Sequence, residues 1–131
     1  MKKKKIIAIA NQKGGVAKTT TAINIGAGLV RKGKNVLLVD TDNQCHLSRW
    51  LGYDSQDGKP TVSELIWQTV SGVKQPVDNF IRHNDTENID YIPSNFMLAG
   101  IISILGTDSD STSVFARLFS DGYFNKYDYI I

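Results

Sequence analysis

The stretch Lys13-Gly14-Gly15-Val16-Ala17-Lys18-Thr19-Thr20 decides the fold. It follows the apolar run Ile6-Ile7-Ala8-Ile9-Ala10 and precedes a segment in which Ala22, Ile23, Leu29 and Val30 recur at helical spacing. A strand that passes through a glycine turn into Lys-Thr at a helix start is a phosphate cradle. Backbone N–H groups of the turn and the positive end of the helix dipole converge on one point. Lys18 adds a mobile cation, and the Thr19 hydroxyl is placed to hold a Mg²⁺ ion. Gly14 and Gly15 permit close backbone approach to a phosphate and tolerate positive φ.

The turn departs from the common phosphate-loop pattern G-x-x-x-x-G-K-[ST]. Gln12 stands at the first glycine and Ala17 at the second, so the fitting pattern is K-G-G-x-x-K-[ST]. Lys13 lies too early to follow the β- and γ-phosphates from its own turn. The other chemistry-bearing pair is Asp40 and Asp42, which end the second apolar run, Val36-Leu37-Leu38-Val39. Two residues apart on extended backbone, they point to the same side, at the carboxyl end of a strand next to the glycine turn, where open α/β sheets bind ligands. One carboxylate can hold a metal-bound water and the other can position an attacking water; a helix N-cap or an Asx turn is the purely structural role, for Asp42 more than for Asp40. An acidic residue about 20 positions after a glycine turn also fits a dinucleotide site, but that site requires G-x-G-x-x-G, which is not present here.

The spacing predicts a buried strand over residues 6–10, a helix over 18–32 capped by Gly33, and a second buried strand over 35–40, together one right-handed βαβ unit. Residues 41–59 read as loop with a short helix near 47–51. Thr61-Val62-Ser63-Glu64 has the spacing of a capping box and opens a helix over 62–70. A third sheet strand falls at 89–93, a packed helix at 96–105, a Ser/Asp-rich loop at 106–113, a helix at 114–120, and a further strand from 127. Residues 76–87 fit either a short helix or an edge strand. The chain stops inside an apolar run, Tyr129-Ile130-Ile131, and reads as the N-terminal piece of a longer protein.

Composition sets the broad class. With 131 residues, 41% hydrophobic and 21% charged, the chain suits one α/β domain with a mostly parallel sheet. It contains no apolar run near the ~18 residues of a membrane span and no secretory signal pattern. The single Cys45 excludes an internal disulfide and fits a reducing cytoplasm; it reads as a small, half-buried residue. The net charge of +2 decides little, since Lys2-Lys3-Lys4-Lys5 reads as a solvated tail. Trp50 and Trp67 read as packing residues, and His46 and His83 stand without ligand-spaced partners.

Ala10-Asn11-Gln12-Lys13-Gly14-Gly15-Val16-Ala17-Lys18-Thr19-Thr20-Thr21-Ala22 resembles the deviant Walker A motif of ParA/Soj-type partition ATPases, within the ParA/MinD group of P-loop NTPases. The run from Val36 to Gln44 resembles that family's D-x-D-P-Q segment, with Asn43 in place of the proline. Ile92-Pro93-Ser94-Asn95 resembles its I-P-S-N, and Tyr127-Asp128-Tyr129-Ile130-Ile131 resembles the approach to Walker B. The resemblance implies a three-layer α/β/α P-loop domain spanning 1–131, with 1–5 as basic tail, cut before the Walker B aspartate. It implies that ATP is bound by Lys13, Gly14, Gly15, Val16, Ala17, Lys18, Thr19 and Thr20. Lys18 would meet the β- and γ-phosphates, and Thr20 would lie beside the α-phosphate. Thr19 would ligate Mg²⁺, with Asp40 supporting the metal–water shell. Asp42 would serve hydrolysis, and Lys13 would reach across an ATP-dependent homodimer to the partner's phosphates. The implied function is plasmid or chromosome partitioning by a cytoplasmic, nucleoid-associated ATPase. Its partners would be a ParB-like centromere-binding protein and nonspecific DNA, the latter through a part beyond residue 131, with no membrane partner. A MinD-like, membrane-associated positioning ATPase and a nucleotide-binding regulator with little turnover are the alternatives, and the isolated piece is expected to turn over weakly.

Overall fold

Leu37 and Leu38 are adjacent, fully buried, and belong to different cores, which is the signature of a strand covered on both faces. They lie on β2 (Val36–Val39), the centre of a five-stranded sheet. The computed structural model describes residues 3–10, 17–73, 75–105 and 114–131. Its elements are β1 (Lys5–Ile6), α1 (Ala17–Arg31), β2, α2 (His46–Trp50), α3 (Val62–Ser71), β3 (Arg82–Asn84), β4 (Ile89–Ile92), α4 (Leu98–Leu105), α5 (Val114–Ser120) and β5 (Tyr129–Ile130). Single 3₁₀ turns fall at Val77–Phe80 and Gly122–Phe124.

The sheet order is β1-β5-β2-β4-β3. All pairings are parallel except the β3–β4 edge hairpin, as the alternation of strands and helices predicts. Leu37, Ile92 and Ile130 pack against Leu65, Leu98, Leu118 and Phe124 from the α3, α4 and α5 side. Leu38, Ile89 and Ile131 pack against Ala22, Ile23 and Ala27 of α1, with Leu47 and Leu51 of the α2 segment. The architecture is therefore α/β/α. The α1 helix comes very close to the sheet at Gly26, where a β-carbon would meet Leu38 Cδ2 at 3.1 Å and Ile89 Cδ1 at 3.3 Å.

The caps behave as the sequence dictates. Gly33 has φ +77°, and the bonds Gly33 N→Val30 O and Lys34 N→Leu29 O close a Schellman motif at the end of α1. At α3, Ser63 N donates to Thr61 Oγ1, and Glu64 Oε2 accepts from Thr61 N at 2.7 Å, completing the capping box.

Four expectations change. The strand read at 6–10 narrows to Lys5–Ile6, although Ile7 N still donates to Ile130 O at 2.8 Å. It is not buried on both faces: Ile7 and Ile9 pack on the α1 side, whereas Ile6 is 52% exposed. Among the described residues β1 pairs only with β5, so it occupies the sheet edge. Second, β5 lies between β1 and β2, so the acidic strand is one strand removed from the one that leads into the glycine turn. Third, α4 packs on one face only. Leu98 is fully buried, but Phe96 and Met97 before the helix and Ile102 and Ile104 within it are exposed. Trp50 and Trp67 are also about half exposed rather than packed. Fourth, Lys4 and Lys5 of the lysine run are bonded to the fold. Lys5 opens β1 with its ammonium over the Tyr129 ring, and Lys4 Nζ donates to Asn125 Oδ1 at 3.1 Å. No helix among the described residues is long and apolar enough to cross a membrane.

Candidate nucleotide-binding site

One cavity of about 780 Å³ opens along the carboxyl ends of β1 and β2, and Lys18, Thr19, Asp40 and Asp42 all line it. Two local structures bring them there. Ala17 begins α1, so Lys18 and Thr19 stand in its first turn, where the positive end of the helix dipole favours an anion. Ala17 has no positive φ, so the alanine that replaces glycine in the turn is accommodated in ordinary right-handed helix. Thr21 Oγ1 donates back to Ala17 O at 2.6 Å within that turn. Lys13, Gly14, Gly15 and Val16 lie outside the described residues, as does the loop at 106–113.

The second structure is the loop after β2. Asp40 is 3% exposed, and both carboxylate oxygens are engaged by the chain itself. Oδ1 accepts from Asp42 N at 3.0 Å; Oδ2 accepts from Ser48 N at 3.0 Å and from Ser48 Oγ at 2.6 Å. Asp42 closes an Asx turn through Oδ1, which accepts from Gln44 N at 3.0 Å. Its Oδ2 remains toward His46, whose Nδ1 lies 3.6 Å away. The two aspartates therefore differ: Asp40 is a buried anchor with three of its roughly four acceptor positions filled, whereas Asp42 is partly exposed, with one oxygen in the Asx turn and the other facing His46. Lys18, Thr19 and Asp42 line one cavity and offer the cation, hydroxyl and carboxylate that a Mg²⁺–phosphate pair requires, while Asp40, read as support for the metal–water shell, is committed to the loop that carries Asp42.

Asn43, which stands where the resembled family has proline, is held without it: Cys45 N donates to Asp42 O at 3.0 Å and Cys45 Sγ to Asn43 O at 3.4 Å. Cys45 is half-buried as expected, but it caps α2 in the left-handed region at φ 59°, which the sequence did not signal. Burial pushes its thiol pKa up, against the lowering effect of a hydrogen bond with the Ser94 side chain. Ser94, within Ile92-Pro93-Ser94-Asn95, is fully buried and its N–H donates to Ser48 Oγ at 2.9 Å. Sequence reasoning missed Ser48 altogether. A lone serine eight residues past an aspartate carries no pattern, and only the fold brings it back to Asp40.

A parallel sheet with helices on both faces, and a Lys-Thr pair opening the helix after β1, define a P-loop NTPase fold. The chain belongs to the AAA domain family, whose model matches residues 4–131. It is 40% identical over 128 residues to the sporulation initiation inhibitor protein Soj of Bacillus subtilis, covering 97% of this chain and 48% of that protein. It is 50% identical over 74 residues to the chromosome-partitioning ATPase Soj of Thermus thermophilus, covering 56% of this chain and 29% of that protein. Among solved structures it is similar to cobyrinic acid a,c-diamide synthase from Mycobacterium smegmatis with bound ATP analog and magnesium. There the TM-score is 0.81 at 35% identity, covering 98% of this chain and 50% of the other. The chain thus spans about half the length of these relatives or less.

Proposed function

We propose that this chain forms the ATP- and Mg²⁺-binding part of a ParA-type ATPase that acts in plasmid or chromosome partitioning. The observation that carries the reading is that Lys18 and Thr19, at the start of α1, line the same cavity as Asp40 and Asp42. Likeness to a chromosome-partitioning ATPase and to a structure with an ATP analog and magnesium supports it.

In this reading Lys18 contacts the β- and γ-phosphates, and backbone N–H groups from Gly14 to Thr20 cradle them. The Thr19 hydroxyl would hold Mg²⁺, which when bound neutralises charge on the phosphates. Asp42 orients the attacking water, and Asp40 holds the Asp42 backbone in place. Lys13 completes the partner's site across an ATP-dependent homodimer, a role comparable to an arginine finger in trans. The protein would be cytoplasmic and nucleoid-associated. Its partners would be a ParB-like centromere-binding protein and nonspecific DNA, the latter bound outside residues 1–131.

The test is ATP hydrolysis by the protein of the complete reading frame. Lys18→Ala and Asp42→Ala are each expected to lower kcat by about a hundredfold or more. Unchanged rates in both variants would refute the assignment of the site.

A further inference from the structure

Three segments that are remote in sequence meet at one hydroxyl. Ser48, on α2, is fully buried. Its Oγ donates to Asp40 Oδ2 at 2.6 Å, at the end of β2, and accepts from Ser94 N at 2.9 Å, just past β4. The first bond is short and charge-assisted. The other oxygen of the same carboxylate accepts from Asp42 N at 3.0 Å. A continuous line therefore runs from Ser94 N through Ser48 Oγ and the Asp40 carboxylate to Asp42 N.

The far end of this line is itself fixed. Val62 N donates to Pro93 O at 2.8 Å, and Ser63 Oγ donates to Asn95 Oδ1 at 2.6 Å, so the first turn of α3 grips the Pro93–Asn95 segment from the other side. The Asp40 carboxylate, by contrast, leans on Ser48: two of its three bonds come from that residue. A carboxylate held by both the N–H and the hydroxyl of one residue has little freedom to rotate. Its second oxygen is thereby aimed at Asp42 N.

We propose that Ser48 is a positioning residue for hydrolysis, which sets the Asp42 loop by locking the Asp40 carboxylate to the Ser94 backbone. The proposal rests on the ATPase reading for its kinetic part only; the lock itself is a property of this chain. It also gives the Ile92-Pro93-Ser94-Asn95 motif a task, as the fixed abutment for the loop that carries Asp42. Ser48 is not among the residues assigned to phosphate, so its loss should leave nucleotide affinity intact.

The experiment compares Ser48→Ala with Ser48→Thr, which keeps the hydroxyl. Amide hydrogen exchange is read at residue resolution by NMR on the chain, and kcat and KM for ATP on the protein of the complete reading frame. In Ser48→Ala, exchange at both Ser94 N–H and Asp42 N–H is expected to quicken about tenfold, the loss of one hydrogen bond's net worth. The kcat should fall about tenfold with KM within about twofold. Ser48→Thr should restore both exchange and kcat. A role confined to packing would quicken Ser94 N–H and leave Asp42 N–H unchanged, and that result overturns the proposal. So does a fall in kcat that Ser48→Thr fails to rescue. If the unmodified protein hydrolyses no ATP, the ATPase reading fails, while the exchange at Asp42 N–H still decides the lock.

Discussion

The backbone N–H of Asp42 donates to the carboxylate of Asp40 at 3.0 Å, so the two acidic residues at the end of β2 form one structure with two tasks. Asp40 is buried and committed to the loop; Asp42 is partly exposed on the cavity wall. Substitution should separate the tasks. Asp40→Asn presents an amide that cannot accept on both sides, and is expected to cost about 2–3 kcal/mol of stability in urea unfolding. Asp42→Asn keeps the Asx turn and should change stability by less than about 0.5 kcal/mol while abolishing ATP turnover. Equal losses of stability in both variants would contradict this division.

Cys45 sits at φ 59° with its thiol facing the Asp42 loop. A β-carbon in left-handed backbone costs on the order of 1–2 kcal/mol, which glycine avoids. Cys45→Gly should therefore raise stability by about 1 kcal/mol in chemical denaturation, the lost thiol contact being weak. Cys45→Val should lower it.

A second anchor holds the loop that leads into α3. Arg82 is 9% exposed and grips Asp57 with two bonds, Nε→Oδ2 at 2.9 Å and Nη2→Oδ1 at 3.0 Å. It also donates to the carbonyls of Lys59, Pro60 and Phe80 and stacks over the Tyr53 ring. Arg82→Met leaves these acceptors unpaired and is expected to cost about 3 kcal/mol. Burial works to raise the Asp57 pKa, but the Arg82 bonds, the Lys59 N–H and the Arg82 charge outweigh it, so the carboxyl titrates below its ordinary range. The folded-state pKa lies below the unfolded one, so this stabilisation is complete above about pH 4 and lost as pH falls through the folded value. Acid unfolding of Asp57→Asn should accordingly show a shallower loss of stability below about pH 4 than the unmodified chain.

The capping box at Thr61 gives a simpler test. Thr61→Ala removes the acceptor for Ser63 N and the hydroxyl that donates to Glu64, and should cost about 1 kcal/mol by thermal or urea unfolding. No change would mean that α3 is held by Val62, Leu65 and Ile66 in the core alone.

Much of this was legible in the sequence because it is local. Gly33 after Arg31-Lys32 and Glu64 three residues after Thr61 announce their caps, the apolar run at 36–39 announces a buried strand, and Ile89, Tyr91 and Ile92 announce a further sheet strand. What failed was non-local. The exposure of Ile6 depends on what covers its face of β1, where it lines the open cavity, and the insertion of β5 between β1 and β2 is a choice of sheet order that periodicity does not encode. The Lys-Thr and Asp-x-Asp pairs could be read as a phosphate site from residue type and spacing. The support behind them could not, since Ser48 meets Asp40 across eight residues and Ser94 across forty-six.

The central claim is that Lys18 and Thr19 face a bound nucleotide. Isothermal titration calorimetry of the chain with ATP and Mg²⁺ tests it most directly. Saturable binding at one site is predicted, weakened about tenfold or more by Lys18→Ala, as expected for loss of a charge-assisted bond to phosphate. Equal affinity of the unmodified chain and Lys18→Ala, or no binding to either, would contradict it.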